Sequence, residues 1–514
     1  MPSNRSEDCL YLNIWAPSNR TELLPVMLWI HGGGFISGYG SNYHYNGRPL
    51  VSYNNIIMVS TNYRLGAFGF LATGDPELPG NYGLFDQAEA MKFVYENIAV
   101  TTLFLFAEFG GNPQNITLFG ESAGGASVGH HLISPFSQDY YTQAILQSGN
   151  SMCPWGLEKD IEKAKRDAYQ VAFFTGCREA DNSAELADCL RNVDQKNLTL
   201  AQNTVIGLTT NVIPFVPILD YSFIPDDPRK LLKNGNFKQC NVMLGTCKDE
   251  GTLLTVRAFP LEVPRDNPVV RKQRFHNALV DGYIYASDDP AVIEAVEQQY
   301  TDWSEADDPN ANYFYHFIDM DTDEAFLCPT DYTARAHARY GHDVWMYQLR
   351  YLPSNSVWWD LPTWKGVAHA EELQYVFGYP FIPEVNHTYG NGQEEIDLSK
   401  AMMKSWGNFA KTGNPNKENM NDITTTSDNE PWMPYTVPGL SFRIFNSTLT
   451  NDNALRAEYC SFWNNYIPRL MTYTSDIDDL QKQWRDDYEE WRDTSMPDWS
   501  SAFQDYKQNA DTCN

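Results

Sequence analysis

Ile116-Thr117-Leu118-Phe119-Gly120-Glu121-Ser122-Ala123-Gly124 reads as a buried strand that runs into a sharp, small-residue turn with a serine at its tip. Glycines on both sides of the serine let the backbone take a strained strand-to-helix elbow, which holds the hydroxyl exposed. The five-residue pattern alone is weak: ordinary residue frequencies produce it about 0.1–0.2 times in a chain this long. Its weight depends on the other parts of an acyl-transfer site. These are a base, a group that orients the base, and N–H donors for the oxyanion.

Upstream, residues 26–30 (VMLWI) form a second buried strand, which leads straight into His31-Gly32-Gly33-Gly34-Phe35. An isolated triple glycine is more often a plain tight turn. Placed after a strand and ahead of the serine elbow, it can turn the N–H groups of Gly33 and Gly34 toward a carbonyl oxygen, with the N–H of Ala123 as third donor. Residues 56–62 read as another strand, 84–98 as a helix, and 241–244, 344–349 and 442–444 as later strands. Short apolar strands alternating with helices predict an α/β fold, a mostly parallel central sheet covered on both faces. Residues 421–430 are polar and read as a surface loop. The main core ends near Leu470, which divides the chain into a catalytic domain at 1–470 and a tail at 475–514.

With 66 acidic against 37 basic residues, the chain carries a net charge of −29. Such a chain has nothing to neutralise a phosphate backbone, so nucleic-acid binding is excluded as a main role. No apolar run reaches the roughly 18 residues of a membrane-spanning helix; the apolar stretch within 101–107 is far shorter. Nine cysteines and six Asn-x-Ser/Thr sequons (Asn4, Asn19, Asn115, Asn197, Asn386, Asn446) point to a secreted protein. The opening Met1-Pro2-Ser3-Asn4-Arg5 has no apolar core of a signal peptide.

The segments Ser6-Glu7-Asp8-Cys9-Leu10-Tyr11-Leu12-Asn13, 29–35, 119–125, Asp249-Glu250-Gly251 and Gly366-Val367-Ala368-His369 resemble the type B carboxylesterase/cholinesterase family over almost the whole chain. The resemblance implies the α/β-hydrolase fold, with Ser122 as nucleophile, Glu250 as triad acid and His369 as base. The chain order Ser, Glu, His is the order of that fold. It also implies carboxylic-ester hydrolysis through an acyl-enzyme, with no metal or organic cofactor. Choline esters are the expected substrates, with a general carboxylesterase acting on neutral esters as the alternative, favoured by His31 and by a thinned aromatic pocket. A catalytically dead adhesion relative of the neuroligin type is the remote third reading, since Ser122, Glu250 and His369 all stand.

By the same resemblance, Trp155 matches an acyl-pocket tryptophan, and Glu121 a carboxylate near the cationic choline head. Aromatic acyl-pocket positions fall on Asn211 and Ile213, and choline-side phenylalanines on Leu253 and Leu254. Smaller side chains imply a roomier pocket that tolerates butyryl groups, and weaker cation–π attraction. The implied disulfides are Cys177–Cys189 and Cys328–Cys460. The implied partner of Cys9 lies upstream, so the chain reads as N-terminally truncated, with about eight residues inserted near Val100–Ala107 relative to the family.

The tail carries Trp484, Tyr488 and Trp491 at i, i+4, i+7, and Trp499, Phe503 and Tyr506 repeat that spacing. This is an amphipathic aromatic stripe that needs a partner. With Cys513 as an interchain cysteine, it resembles the family's tetramerisation tail, which wraps a proline-rich anchoring peptide. A homodimer or homotetramer, secreted or tethered through the anchor, is the implied assembly. Pro497 and an eight-residue step from Trp491 to Trp499 predict a bend or a second helix capped by Ser495.

Overall fold

A computed structural model of the chain describes residues 6–18, 20–99, 109–208, 213–287, 289–358, 361–386, 388–389, 392–419, 430–475, 484, 487–488 and 491–510. Asn211, Cys513, the inserted stretch at 100–107, and all but the last residue of the polar stretch 421–430 lie outside them. Among the described residues, nine strands form one sheet: β1 (Leu12–Trp15), β2 (Leu24–Ile30), β3 (Ile57–Thr61), β4 (Gly111–Glu121), β5 (Gln143–Gln147), β6 (Val242–Cys247), β7 (Val344–Leu349), β8 (Ser441–Phe445) and β9 (Thr450–Asn453). Their order is β1-β3-β2-β4-β5-β6-β7-β8-β9. The two edge pairs are antiparallel and every inner pair is parallel.

The inner strands are apolar on both faces because both faces are covered. Val26, Leu28 and Ile30 of β2 enter one core, together with Leu118, Leu244 and Met346. Met27 and Trp29 point the other way, into a core shared with Phe119, Met243 and Trp345. Trp29 is fully buried and packs its ring 4.7–5.2 Å from those of Tyr45, Phe119 and Phe377. The helices that matter for the site are α1 (Tyr82–Asn97), α2 (Ala123–Ile133), α3 (Phe314–Thr322), α4 (Cys328–Arg339), α5 (Gln393–Thr412), α6 (Ile467–Ser475) and α7 (Met496–Ala510). A π-helical turn, Asp323–Leu327, joins α3 to α4. Disulfides pair Cys177 with Cys189 and Cys328 with Cys460.

Four strands differ from the sequence reading, among them β1, which it did not include. β4 begins at Gly111, with a register break against β2 before its apolar half. β5 is a fully buried central strand, QAILQ, whose flanking glutamines hide its apolar centre. β9 is polar, because an edge strand has only one neighbour to satisfy.

In the tail, a π-helical turn at Trp491–Ser495 passes directly into α7, with Pro497 in the first turn of that helix. A π turn takes up one extra residue, which accounts for the eight-residue aromatic step. Trp484, Tyr488, Trp491, Trp499, Phe503 and Tyr506 are all exposed, and the Trp499 and Phe503 rings stack 5.2 Å apart.

The serine elbow is seated by backbone touching backbone. A Cβ on Gly124 would lie 2.0 Å from the carbonyl oxygen of Ile30, and one on Gly149 would lie 2.2 Å from that of Ser122. Neither neighbour is a side chain that can swing away. Gly124→Ala is therefore expected to cost about 3 kcal/mol or more of stability, read as a fall in denaturant midpoint. An unchanged midpoint would contradict this packing.

Candidate functional site

Three segments from distant parts of the chain meet at the C-terminal edge of the sheet, where open α/β sheets gather their functional groups. β4 delivers Ser122, at φ 57° and ψ −125°, immediately ahead of α2. Glu250 lies three residues past the end of β6, and His369 lies in the connection after β7. Glu250 is fully buried, and its Oε2 lies 2.5 Å from His369 Nδ1. Its Oε1 accepts from the Ser148 hydroxyl at 2.5 Å and from the Cys247 N–H at 2.6 Å. This carboxylate is held at both oxygens and so orients the imidazole through its Nδ1. The main chain of His369 is pinned as well: Trp358 Nε1 donates to its carbonyl oxygen at 2.7 Å.

His369 Nε2 makes no hydrogen bond among the described residues, and the structure shows none between it and the Ser122 hydroxyl. Instead it sits 3.1 Å from Glu121 Oε1, the residue before the serine. Bonds of this kind are often long or misaligned before substrate binds. Burial by itself disfavours the imidazolium, but the carboxylates of Glu121 and Glu250 outweigh it and raise the His369 pKa. Burial raises Glu121, an effect its attraction to His369 opposes. Glu372 adds a third buried carboxyl, which accepts from Gln147 Nε2 at 3.0 Å and from the Cys247 thiol at 3.2 Å. Asp321 is a fourth: neither oxygen has a hydrogen-bond partner among the described residues, and burial, then Glu324 and Glu250, favour its neutral form.

Opposite the serine, Gly33 and Gly34 take φ 108° and 61°, which only glycine adopts without strain. Ala123 heads α2, so its N–H is one of the helix-end donors without an intrahelical partner. A Cβ on Gly32 would strike the Glu121 carbonyl and the Ser122 Cβ at 2.7 and 2.9 Å, so the glycine loop lies directly against the elbow. Ile213 reaches this loop too, its Cδ1 2.8 Å from where a Gly34 Cβ would be. His31 lies beneath the loop rather than facing a substrate: it is fully buried, stacked 4.5 Å from Tyr63, with Nδ1 2.8 Å from the Gly32 carbonyl. Burial lowers its pKa to about 4.

Trp155 is buried and donates from Nε1 to the Ala325 carbonyl at 2.9 Å. Its ring lies 5.5 Å from that of Phe326, which in turn lies 5.0 Å from the His369 imidazole. Phe326 comes from the π-helical turn and stands between the tryptophan and the histidine. The sequence reading counted the side chains lost at Asn211 and Ile213 and missed this one. Leu253 is half-buried and Leu254 buried, both just after Glu250. Ser148, Trp358 and Glu372 were also not singled out from sequence. Of these, only Ser148 had a local signal, in Gln147-Ser148-Gly149 following the apolar Ala144-Ile145-Leu146.

Comparison with known proteins identifies the family. The Carboxylesterase family matches residues 1–463. The acetylcholinesterase of Bungarus fasciatus is 38% identical over 512 residues, covering 99% of this chain and 80% of that protein. The acetylcholinesterase of Danio rerio is 35% identical over 540 residues, covering 98% and 81%. The cholinesterase of Mus musculus is 36% identical over 514 residues, covering 99% and 81%. With a mixed sheet wrapped by helices and a serine elbow at its edge, the chain belongs to the carboxylesterase family and is a carboxylic ester hydrolase of the α/β-hydrolase fold.

Proposed function

We propose that this hydrolase cleaves choline esters, with Ser122 as nucleophile, His369 as base and Glu250 as the acid that orients it. The 2.5 Å contact between Glu250 and His369, beside the serine elbow, carries this reading. His369 Nε2 takes the Ser122 proton as Oγ bonds to the ester carbonyl carbon. Glu250 holds the Nδ1–H tautomer and stabilises the imidazolium. The tetrahedral oxyanion accepts from the N–H groups of Gly33, Gly34 and Ala123. His369 then protonates the departing alcohol as the carbon–oxygen bond breaks. Water repeats the sequence on the acyl-enzyme and frees the acid. Ser122→Ala is expected to lower kcat by about 10⁴-fold or more; ordinary turnover in that variant would refute the assignment.

Buried carboxyls at Glu121 and Glu372 support a cationic alcohol moiety. Leucines at 253 and 254 in place of aromatic faces favour the second reading, a neutral-ester carboxylesterase. Acetylcholine and its uncharged match, 3,3-dimethylbutyl acetate, separate the two. The choline-ester reading expects kcat/KM about tenfold higher for acetylcholine, worth about 1.4 kcal/mol; equal values favour neutral esters.

Phe326 fills space beside Trp155 and so limits the acyl group, against the roomy pocket expected from sequence. Phe326→Val is expected to raise the butyryl-to-acetyl preference about tenfold, measured as a ratio of kcat/KM values. No change in the ratio would remove Phe326 from that wall.

The base must be neutral to accept the serine proton. Glu121 favours the imidazolium, so removing its charge lowers the His369 pKa. Glu121→Gln is expected to move the acid limb of the kcat/KM profile down by about one pH unit. A limb that stays in place or rises would contradict the coupling.

The exposed aromatic tail supports assembly into a homodimer or homotetramer around a proline-rich peptide, with Cys513 as an interchain link. The sequons and two disulfides support secretion. No helix of the described residues is long and apolar enough to cross a membrane.

A further inference from the structure

A cavity of about 640 Å³ lies outside the ester-cleaving constellation, among the 151–157 segment, the turn at 282–286, the π-helical turn and α6. Its lining is more apolar than polar, with Met152, Trp155, Ile284, Trp463 and Ile467 on its walls. That volume is in the range of sites that hold small organic molecules. Trp155 belongs both to this wall and to the contact with Phe326, so the cavity and the ester site share one partition.

The polar groups of the lining differ in one respect. Its cations are engaged: Lys159 pairs with Asp227 at 2.6 Å, and Lys163 with Glu158 at 2.9 Å. Arg229 donates to the Asn464 carbonyl at 3.0 Å and lies over the Tyr332 ring. Glu324 is half satisfied. Its Oε1 accepts from the N–H groups of Tyr285 and Ala286 at 2.9 and 2.7 Å, which fixes the carboxyl against the 282–286 turn. Its Oε2 is buried and has no hydrogen-bond partner among the described residues. A buried acceptor left unpaired carries a desolvation penalty that a donor from a ligand would relieve.

We propose that this cavity is a second ligand site, which takes a small amphipathic amine with its apolar body against Trp155, Met152 and Trp463 and an N–H group donated to Glu324 Oε2. An anionic ligand has no free cation to meet there, and the net charge of −29 draws cations toward the molecule. Burial pushes the Glu324 carboxyl up to about 8, against the pull of its two backbone donors. A bound ammonium opposes that rise in the same sense, by favouring the carboxylate.

The site does not depend on the choline-ester reading, and its test reads binding rather than turnover. The 514-residue chain is titrated calorimetrically with phenethylamine and with phenethyl alcohol as the uncharged match. The expected result is one saturable site with about tenfold preference for the amine. Glu324→Gln is expected to lose that preference, and Ala286→Trp, which fills the cavity, to lose binding. Hydrogen–deuterium exchange on the unaltered chain locates the site if either variant fails to fold. Protection by phenethylamine is expected in peptides covering 151–157, 282–286 and 463–471. Absence of saturable binding, equal affinities in all three proteins, or protection confined to peptides around Ser122 and His369 would overturn the proposal.

Discussion

A buried carboxylate facing an imidazole is the constraint around which this molecule is organised. Glu250 has no exposed surface, and both of its oxygens are engaged, by His369, Ser148 and the Cys247 main chain. An ionised group in that position is tolerable only while those donors stay in place. Each donor belongs to a different part of the sheet edge: Ser148 follows β5, Cys247 ends β6, and His369 follows β7. Two crossover connections, from β5 to β6 and from β6 to β7, must therefore be correctly wound before the carboxylate is satisfied, so the fold and the site are specified together.

The same edge concentrates negative potential. Glu121, Glu372 and Asp321 surround the histidine in addition to Glu250. Burial raises the pKa of these three, which limits how many charges the site holds at once. The histidine draws on the charge that remains and is raised in turn. A site built this way suits a reaction whose transition state carries an imidazolium, and it favours a positively charged substrate over a negative one.

Much of this was legible in the chain. The serine elbow, the triple glycine and β7 could be read locally, because a strand buried on both faces is an unbroken apolar run and an elbow needs small residues. The acid and the histidine could be proposed only through resemblance to a family. Either residue taken alone, a glutamate in a charged turn or one histidine among ten, carries no local signal. What escaped reading depends on long-range contact. Phe326 enters the site because a π-helical turn rotates it toward His369, and no periodicity reveals such a turn. β5 was hidden by its terminal glutamines, one bonded to the main chain of α5 and the other to the Trp406 indole and Glu372. Glu324 looks like any acidic residue of a helix until the fold buries it against the 282–286 turn.

The central claim is that Ser122 is made nucleophilic by His369 and Glu250. Reaction with diisopropyl fluorophosphate, followed by peptide mass spectrometry, tests it without presuming any ester substrate. The expected result is one phosphoryl adduct per chain, on the peptide bearing Ser122, formed far more slowly once Glu250 is replaced by alanine. An adduct on another residue, or labelling that proceeds equally without the Glu250 carboxylate, would contradict the account.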